Sequence, residues 1–207
     1  LEEYGYEIIT NIGGNGFAAI LKNGGNKTAL FRADMDALPI KEETGISFES
    51  VKTTKQNGMD VPIMHACGHD IHMTSLIGTA EYFSKNKDSW KGTIVFILQP
   101  AEEIGFGARQ MINAGLFNQV PYPDINLALH VSAQTQSGTV HITPGFAMAN
   151  VDSVDVTFYG EGGHGAYPHL TKDPIVMSSQ FITSVQTIIS RNLSPVSYTH
   201  LTLPTRS

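Results

Sequence analysis

The sequence predicts an α/β fold, a sheet with helices packed on both faces, and three observations carry that prediction. Thr93 to Leu98 and Ile125 to Leu129 are continuous apolar runs of strand length, the pattern of strands buried on both sides. From His69 to Asn86 the apolar spacing turns helical, with Met73, Leu76, Ile77, Ala80 and Phe83 on one face. Strand and helix patterns then alternate along the chain. The bulk numbers agree. A chain of 207 residues is long enough for one or two domains, and 41% hydrophobic with 15% charged residues describes a globular protein.

Taken in order, Tyr6 to Thr10 and Phe17 to Leu21 flank Gly13-Gly14-Asn15-Gly16, which predicts a hairpin. No helix pattern follows those glycines, so a turn is favoured over a phosphate cradle. Thr28 to Arg32 is a compact apolar strand running into Asp34 and Asp36. Residues 41 to 62 are polar and read as loop. After the 69–86 helix and the 93–98 strand, Ala108 to Leu116 reads as a helix closed near Gly115. The Ile125 to Leu129 strand ends at His130. A change of character comes at Pro144-Gly145. Val151 to Phe158 alternates like a half-exposed strand, and Gly160 to Gly165 is a glycine-rich turn holding His164. Asp173-Pro174 opens a helix to Arg191 with a stripe of Ile175, Ser178, Ile182, Val185, Ile188 and Ile189. This strand and helix predict the start of a second, α+β domain.

The composition excludes several classes. A net charge of −6 without any Lys/Arg block argues against nucleic acid and anionic membranes as partners. No apolar stretch approaches the roughly 20 residues of a membrane span. A single cysteine rules out an internal disulfide, and the expected compartment is the cytoplasm. The Gly-x-Ser-x-Gly elbow, Cys-x-x-Cys pair, Walker loop and His-Glu-x-x-His helix are all missing, which weakens serine-hydrolase, redox, nucleotide and thermolysin-like readings.

The chemistry concentrates in two places. Met64-His65-Ala66-Cys67-Gly68-His69-Asp70-Ile71-His72 puts three histidines, the only cysteine and an aspartate within nine residues. Thiolate, imidazole and carboxylate are the ligand set of a borderline-soft divalent metal such as zinc or manganese. A lone buried thiol or histidine is more often a packed core residue, but the cluster favours metal. Cys67 and His69, two apart, share a side if the chain is extended there. For His65 and His72, packing or hydrogen bonding behind the ligands is favoured, and Asp70 suits the role of orienting a histidine. Gln99-Pro100-Ala101-Glu102-Glu103 follows the buried strand, at a predicted strand end with Asp34 and His130, where ligands of such folds gather. Adjacent acids there repel unless a cation holds one while its neighbour moves protons, and spacing does not say which does which. His164 is either an exposed turn residue or a donor to a developing oxyanion. His141 and His169 read as structural or exposed.

These residues resemble a family. Arg32-Ala33-Asp34-Met35-Asp36-Ala37-Leu38-Pro39, the His65–His72 run, Gln99–Glu103 and Gly162-Gly163-His164-Gly165-Ala166-Tyr167-Pro168-His169 appear in that order. Together they resemble the amidohydrolase branch of the aminoacylase and carboxypeptidase metallopeptidases, which holds hippurate, N-acyl-amino-acid and auxin-conjugate hydrolases. The resemblance, from about residue 5 to Pro195, implies a three-layer mixed-sheet catalytic domain over residues 1–145. Residues 146–195 would begin an inserted α+β lid and dimerisation domain. It implies two divalent metal ions, manganese or zinc first and nickel or cobalt next, held by Cys67, His69, Glu103 and His130. Glu102 would be the general base and acid, and His164 would stabilise the tetrahedral intermediate, in many relatives across a homodimer. Asp34 and Asp36, with Asp70 and His72, would support the ligands.

The implied substrate is a small N-acyl amino acid or a dipeptide-like molecule. Where the branch often carries a Trp-Pro pair after the histidine, this chain has Val131-Ser132, which bears on substrate preference. The family's opening helix and final histidine ligand are expected to be missing from these 207 residues, leaving this stretch inactive alone. Two other readings are a catalytically inactive metal- or amino-acid-binding module and a dipeptidase or carboxypeptidase of the same family. Residues 196–207 form a separate tail: Val196 to Thr205 resembles a translated transposon-end sequencing adapter, expected to be non-native. Ordinary codons in the underlying DNA would refute that reading.

Overall fold

The strand Thr93–Gln99 organises the fold, and its burial explains why its sequence is apolar from Ile94 to Leu98. Successive strand side chains point to opposite faces. Ile94, Phe96 and Leu98 enter one core with Tyr6, Ala19, Leu21, Ala33, Leu76 and Ala80. Val95 and Ile97 enter a second core with Ile12, Ala18, Ile20, Leu30, Met111, Leu116 and Val120. The computed structural model describes residues 1–145 and 152–193. The chain divides into two compact units, Leu1–Gln134 and Thr135–Ser207.

The first unit holds a five-stranded mixed sheet. Its strands are β1 (Glu7–Ile12), β2 (Gly16–Lys22), β3 (Thr28–Asp34), β6 (Thr93–Gln99) and β7 (Ile125–Ala128), in the order β1-β2-β6-β3-β7. β2 runs antiparallel to β1 and β6, and β3 runs parallel to β6 and β7. Helix α1 (His69–Lys85) covers one face through Leu76 and Ala80. Helices α2 (Gly107–Asn113) and α3 (Leu116–Gln119) cover the other through Met111 and Leu116. The sheet is therefore a mixed α/β layer packed on both faces.

Phe96 is fully buried and stacks on Tyr6 and Phe31 at centroid distances of 5.3 and 5.4 Å. Phe96→Ala is expected to cost about 3–5 kcal/mol of stability. Urea denaturation of the purified chain measures it, and a loss under about 1 kcal/mol would show that this core is not packed as described.

The parallel strands end together. Asp34 pairs with Gln99 in register, and the Met35 amide donates to the Gln99 carbonyl at 2.9 Å. The segments after β3, β6 and β7 thus emerge at one edge, carrying Asp34 and Asp36, Glu102 and Glu103, and His130.

Several elements differ from the sequence expectation. The 41–62 stretch contains a hairpin, β4 (Thr53–Gln56) with β5 (Met59–Pro62). Its turn is Asn57-Gly58, both at positive φ (52° and 79°), the backbone of a type I′ turn. The signal was present, but neither strand alternates because both lie largely exposed. Ile77 on α1 is 46% exposed, since the buried stripe runs through His69, His72, Leu76 and Ala80 instead. The 108–116 helix stops at Asn113, and Gly115, at φ 80°, starts α3 in a new direction. β7 is an exposed edge strand, not a buried one, because among the described residues only β3 pairs with it.

In the second unit, helix α4 (Pro174–Thr187) forms where predicted, capped by Asp173, whose carboxylate accepts from the Ile175 amide at 2.8 Å. A π turn, Ile188–Asn192, extends it. Half of its apolar stripe is exposed, at Ile175, Ile182 and Ile188, while Ser178, Val185 and Ile189 are partly covered. Residues 152–158 form no strand, since none of the described residues of this unit offers one to pair with; Val151 and the tail from 196 lie outside the described residues. No helix among the described residues is long and apolar enough to cross a membrane.

Candidate metal centre

α1 begins within the histidine run. Gly68, at φ 81°, turns the chain so that His69 and His72 enter the buried face of the first helical turn. Cys67 stays on the approaching loop, half-buried. Asp70 is exposed in that first turn, where its charge suits the helix N-terminus. Among the described residues its carboxylate bonds none of the histidines, so Asp34 and Asp36 orient them instead.

His69 is 1% exposed. Its Nδ1 lies 3.0 Å from the Asp36 carbonyl, and His65 Nδ1 lies 3.1 Å from the same oxygen. A carbonyl only accepts, so each Nδ1 carries a proton, and in the neutral ring each Nε2 keeps a lone pair. His69 Nε2 then faces Asp34 Oδ2 at 3.6 Å, Glu102 Oε2 at 3.7 Å and Glu103 Oε1 at 3.7 Å. On the other side of the cluster Cys67 Sγ lies 3.5 Å from His130 Nε2. His130 Nδ1 donates to the Val131 carbonyl at 2.7 Å, which in the neutral ring leaves its Nε2 to accept from the Cys67 thiol.

Three overlapping groups therefore bring metal-ligating atoms together: Cys67, His69 and His130; His69, Glu102 and Glu103; and Asp34, His69 and His72. Four buried polar atoms among the described residues have no hydrogen bond, and all four are here: His69 Nε2, Glu103 Oε1, and Asp34 Oδ2 and Asp36 Oδ1, of which the last two have only ion-pair contacts, to Arg32 Nη1 at 2.8 Å and His69 Nδ1 at 3.2 Å. Orphaned buried groups of this kind are costly unless something satisfies them. Ligand atoms set tetrahedrally on arms of about 2.0–2.3 Å would lie about 3.3–3.8 Å apart, the range of the 3.5–3.7 Å separations. The residues present fit divalent cations on both counts.

The electrostatics agree. Burial pushes the Cys67 thiol above its ordinary pKa, and Glu103, Glu102 and Asp34 push the same way. A site that gathers three carboxylates around a thiol is suited to positive charge. Asp34 goes the other way. Burial is the largest effect on it and raises its pKa, but the His72 hydrogen bond and the Arg32 guanidinium help to hold it below the usual carboxylate range.

The two glutamates differ. Glu103 is the more enclosed, with 21% of its side chain exposed against 38% for Glu102, and its backbone amide donates to Asp36 Oδ2 at 3.0 Å. Both sit on a tight loop begun by Ala101, at φ 51°, a conformation strained for any residue but glycine. The Ala101 carbonyl accepts from the Phe106 and Gly107 amides, folding the loop back onto α2. Gly107 has no room for a side chain, since a Cβ there would lie 1.5 Å from the Pro100 carbonyl oxygen. Gly107→Ala is expected to displace the glutamate loop and to cost about 3 kcal/mol or more. Denaturant unfolding checks this, and an unchanged midpoint would mean that the loop is not anchored there.

His164 lies in the second unit, exposed in the glycine-rich turn. Its Nδ1 accepts from the Ala166 amide at 3.1 Å, so the proton sits on Nε2. Sequence reasoning missed Arg32 and Gln99 as parts of the site. Arg32 Nη1 reaches Asp34 Oδ2 at 2.8 Å, and its Nε donates to Gln99 Oε1 at 2.9 Å. An arginine two residues before an acid in an otherwise apolar strand was the available signal.

Comparison with known proteins gives consistent relatives. The model of peptidase family M20/M25/M40 matches residues 30–201. An N-acetyldiaminopimelate deacetylase of Oenococcus oeni is 42% identical over 170 residues, covering 82% of this chain and 42% of that protein. An N-acetyl-L-cysteine deacetylase of Bacillus subtilis is 42% identical over 187 residues, covering 90% of this chain and 42% of that protein. Among solved structures, a provisionally assigned aminohydrolase of methicillin-resistant Staphylococcus aureus superposes with a TM-score of 0.68 at 37% identity, over 94% of this chain and 51% of that one. A dinuclear metal-binding M20 peptidase of Bacillus subtilis gives a TM-score of 0.55 at 38% identity, over 65% of this chain and 35% of that one. The chain spans less than half the length of the curated relatives it matches.

Proposed function

The chain belongs to peptidase family M20/M25/M40, and on that premise we propose that it is part of a metal-dependent amidohydrolase that cleaves N-acyl amino acids, N-acetyl amino acids foremost. The observation that carries the reading is the gathering of Cys67, His69, Glu103 and His130 at one sheet edge, with the unsatisfied atoms of that cluster pointing inward. Those four residues would hold two divalent cations, manganese or zinc first. When bound, the cations supply Lewis acidity, acidifying water and polarising the amide carbonyl.

The protein's own groups do the rest. Glu102, the more open carboxylate, takes a proton from the attacking water as its oxygen bonds to the carbonyl carbon. It then delivers that proton to the leaving amine as the C–N bond breaks. His164, protonated on Nε2, donates to the oxyanion. In this reading residues 146–195 begin the lid that carries His164, and the full-length protein is a homodimer. Cys67 must stay a free thiolate, which a reducing compartment such as the cytoplasm preserves.

The experiment is elemental analysis of the full-length protein that contains this segment, with hydrolysis of a panel of N-acetyl, N-benzoyl and N-aminoacyl amino acids by the same sample. Close to two metals per chain with turnover of the N-acetyl compounds supports the reading. Neither metal nor turnover, after zinc and manganese are supplied, overturns it.

A further inference from the structure

His72 is the one residue of the histidine run whose two ring nitrogens are both engaged by protein groups. Nδ1 lies 2.6 Å from Asp34 Oδ1, and Nε2 lies 3.0 Å from the Val131 amide. A backbone amide only donates, so Nε2 must accept, Nδ1 must carry the proton, and no lone pair is left for a metal. Asp34 and His72 are 0% and 2% exposed. Asp34 is in turn held by Arg32, and Arg32 by Gln99. The result is a line, Gln99–Arg32–Asp34–His72, buried except for the partly exposed Arg32, that ends on the backbone of the segment after β7. A second contact fixes that segment. The Val131 side chain packs on Gly68, where a Cβ would stand 2.4 Å from Val131 Cγ2. Gly68 follows Cys67 and Val131 follows His130, so these two contacts set the two ligand candidates 3.5 Å apart. The His72 ring also lies edge-on to His130 at 4.6 Å.

We propose that His72 is a positioning residue: as the Nδ1–H tautomer fixed by Asp34, it holds the Val131 amide and so seats His130 against Cys67. This rests on the metal-site reading for its consequence but not for its wiring. It assigns the Asp34, His69 and His72 grouping to support of the centre and excludes His72 from coordination. It also gives Asp34 a defined task, that of selecting the tautomer.

The wiring is tested on the metal-free 207-residue chain by NMR. Long-range nitrogen–proton correlation is expected to show His72 protonated on Nδ1, with the Val131 amide protected from exchange and its methyl protons close to the Gly68 α-protons. An Nε2–H tautomer, or a Val131 amide exchanging as fast as an open loop, would overturn the proposal.

Its consequence is tested with two variants that each keep one bond. His72→Asn retains a donor for Asp34 and loses the acceptor for Val131, and His72→Gln does the reverse. Each is titrated with zinc and loaded with cobalt. His72→Asn is expected to lose Val131 protection, to bind metal about 10–100-fold more weakly and to change the cobalt–thiolate absorption, whereas His72→Gln keeps more of all three. Wild-type affinity and an unchanged cobalt spectrum in His72→Asn would overturn the positioning role. If the wild type binds no metal while the NMR result holds, the hydrolase reading fails and the wiring stands.

Discussion

Replacing Glu102 with glutamine in the full-length protein is expected to lower kcat by roughly 10²–10⁴-fold while two metals per chain remain bound. Glutamine has nearly the same size as glutamate, so the loop geometry set by Ala101 and Gly107 should survive. What it lacks is a site for the water's proton. A factor of 10³ corresponds to about 4 kcal/mol of transition-state stabilisation, far above the effect expected from a repacked exposed side chain. The same exchange at Glu103 should instead weaken metal binding, because Glu103 presents the enclosed, unpartnered oxygen. Steady-state kinetics with metal analysis on both variants separates the roles. If Glu102→Gln lost metal and Glu103→Gln kept it while losing turnover, the two assignments would have to be exchanged.

Removal of metal is expected to destabilise the first unit, and removal of Cys67 or His69 to abolish that difference. The cluster places a thiol and the carboxylates of Asp34, Glu102 and Glu103 around His69 with several atoms unsatisfied. A cation binding this arrangement at a hundred times its dissociation constant adds about 2.7 kcal/mol to the folded state. For a chain of this size that corresponds to a shift in Tm of about 5–10 °C. Calorimetry of the 207-residue chain with zinc and with chelator measures it. In Cys67→Ala and His69→Ala the two curves should nearly coincide. Equal midpoints with and without metal in the wild type would show that this chain does not bind the cation at the proposed place.

Much of the site was legible because its chemistry lies in short segments at the ends of strands. The 93–98 run announces a strand buried on both faces, so whatever follows it must emerge at a sheet edge, and Glu102 and Glu103 do. Cys67, His69 and His72 were legible as a cluster but not by role. The histidine tautomers decide the roles, and they depend on partners 33 to 59 residues away in sequence: the Asp36 carbonyl, the Asp34 carboxylate and the Val131 amide. Two of those partners are backbone atoms, which no pattern of side chains reveals.

Asp70 shows the opposite error. Its place beside the histidines suggested an orienting role, but helix geometry turns residue 70 outward when 69 and 72 point in. The edge strand β7 was misjudged for a related reason. Its apolar run reads as buried on both sides, whereas among the described residues one edge has no neighbour. The apolar stripe of α4 repeats the lesson, since periodicity marks a face fit for burial without saying what covers it.

X-ray absorption at the zinc edge of the metal-loaded full-length protein reads the Cys67 thiolate's bond to the cation. A sulfur scatterer, the Cys67 Sγ, is expected about 2.3 Å from the metal beside nitrogen and oxygen scatterers at about 2.0–2.2 Å. The sulfur contribution should vanish in Cys67→Ser. A spectrum of nitrogen and oxygen alone in the wild type would contradict the account, because the cation would then lie away from the Cys67–His130 pair.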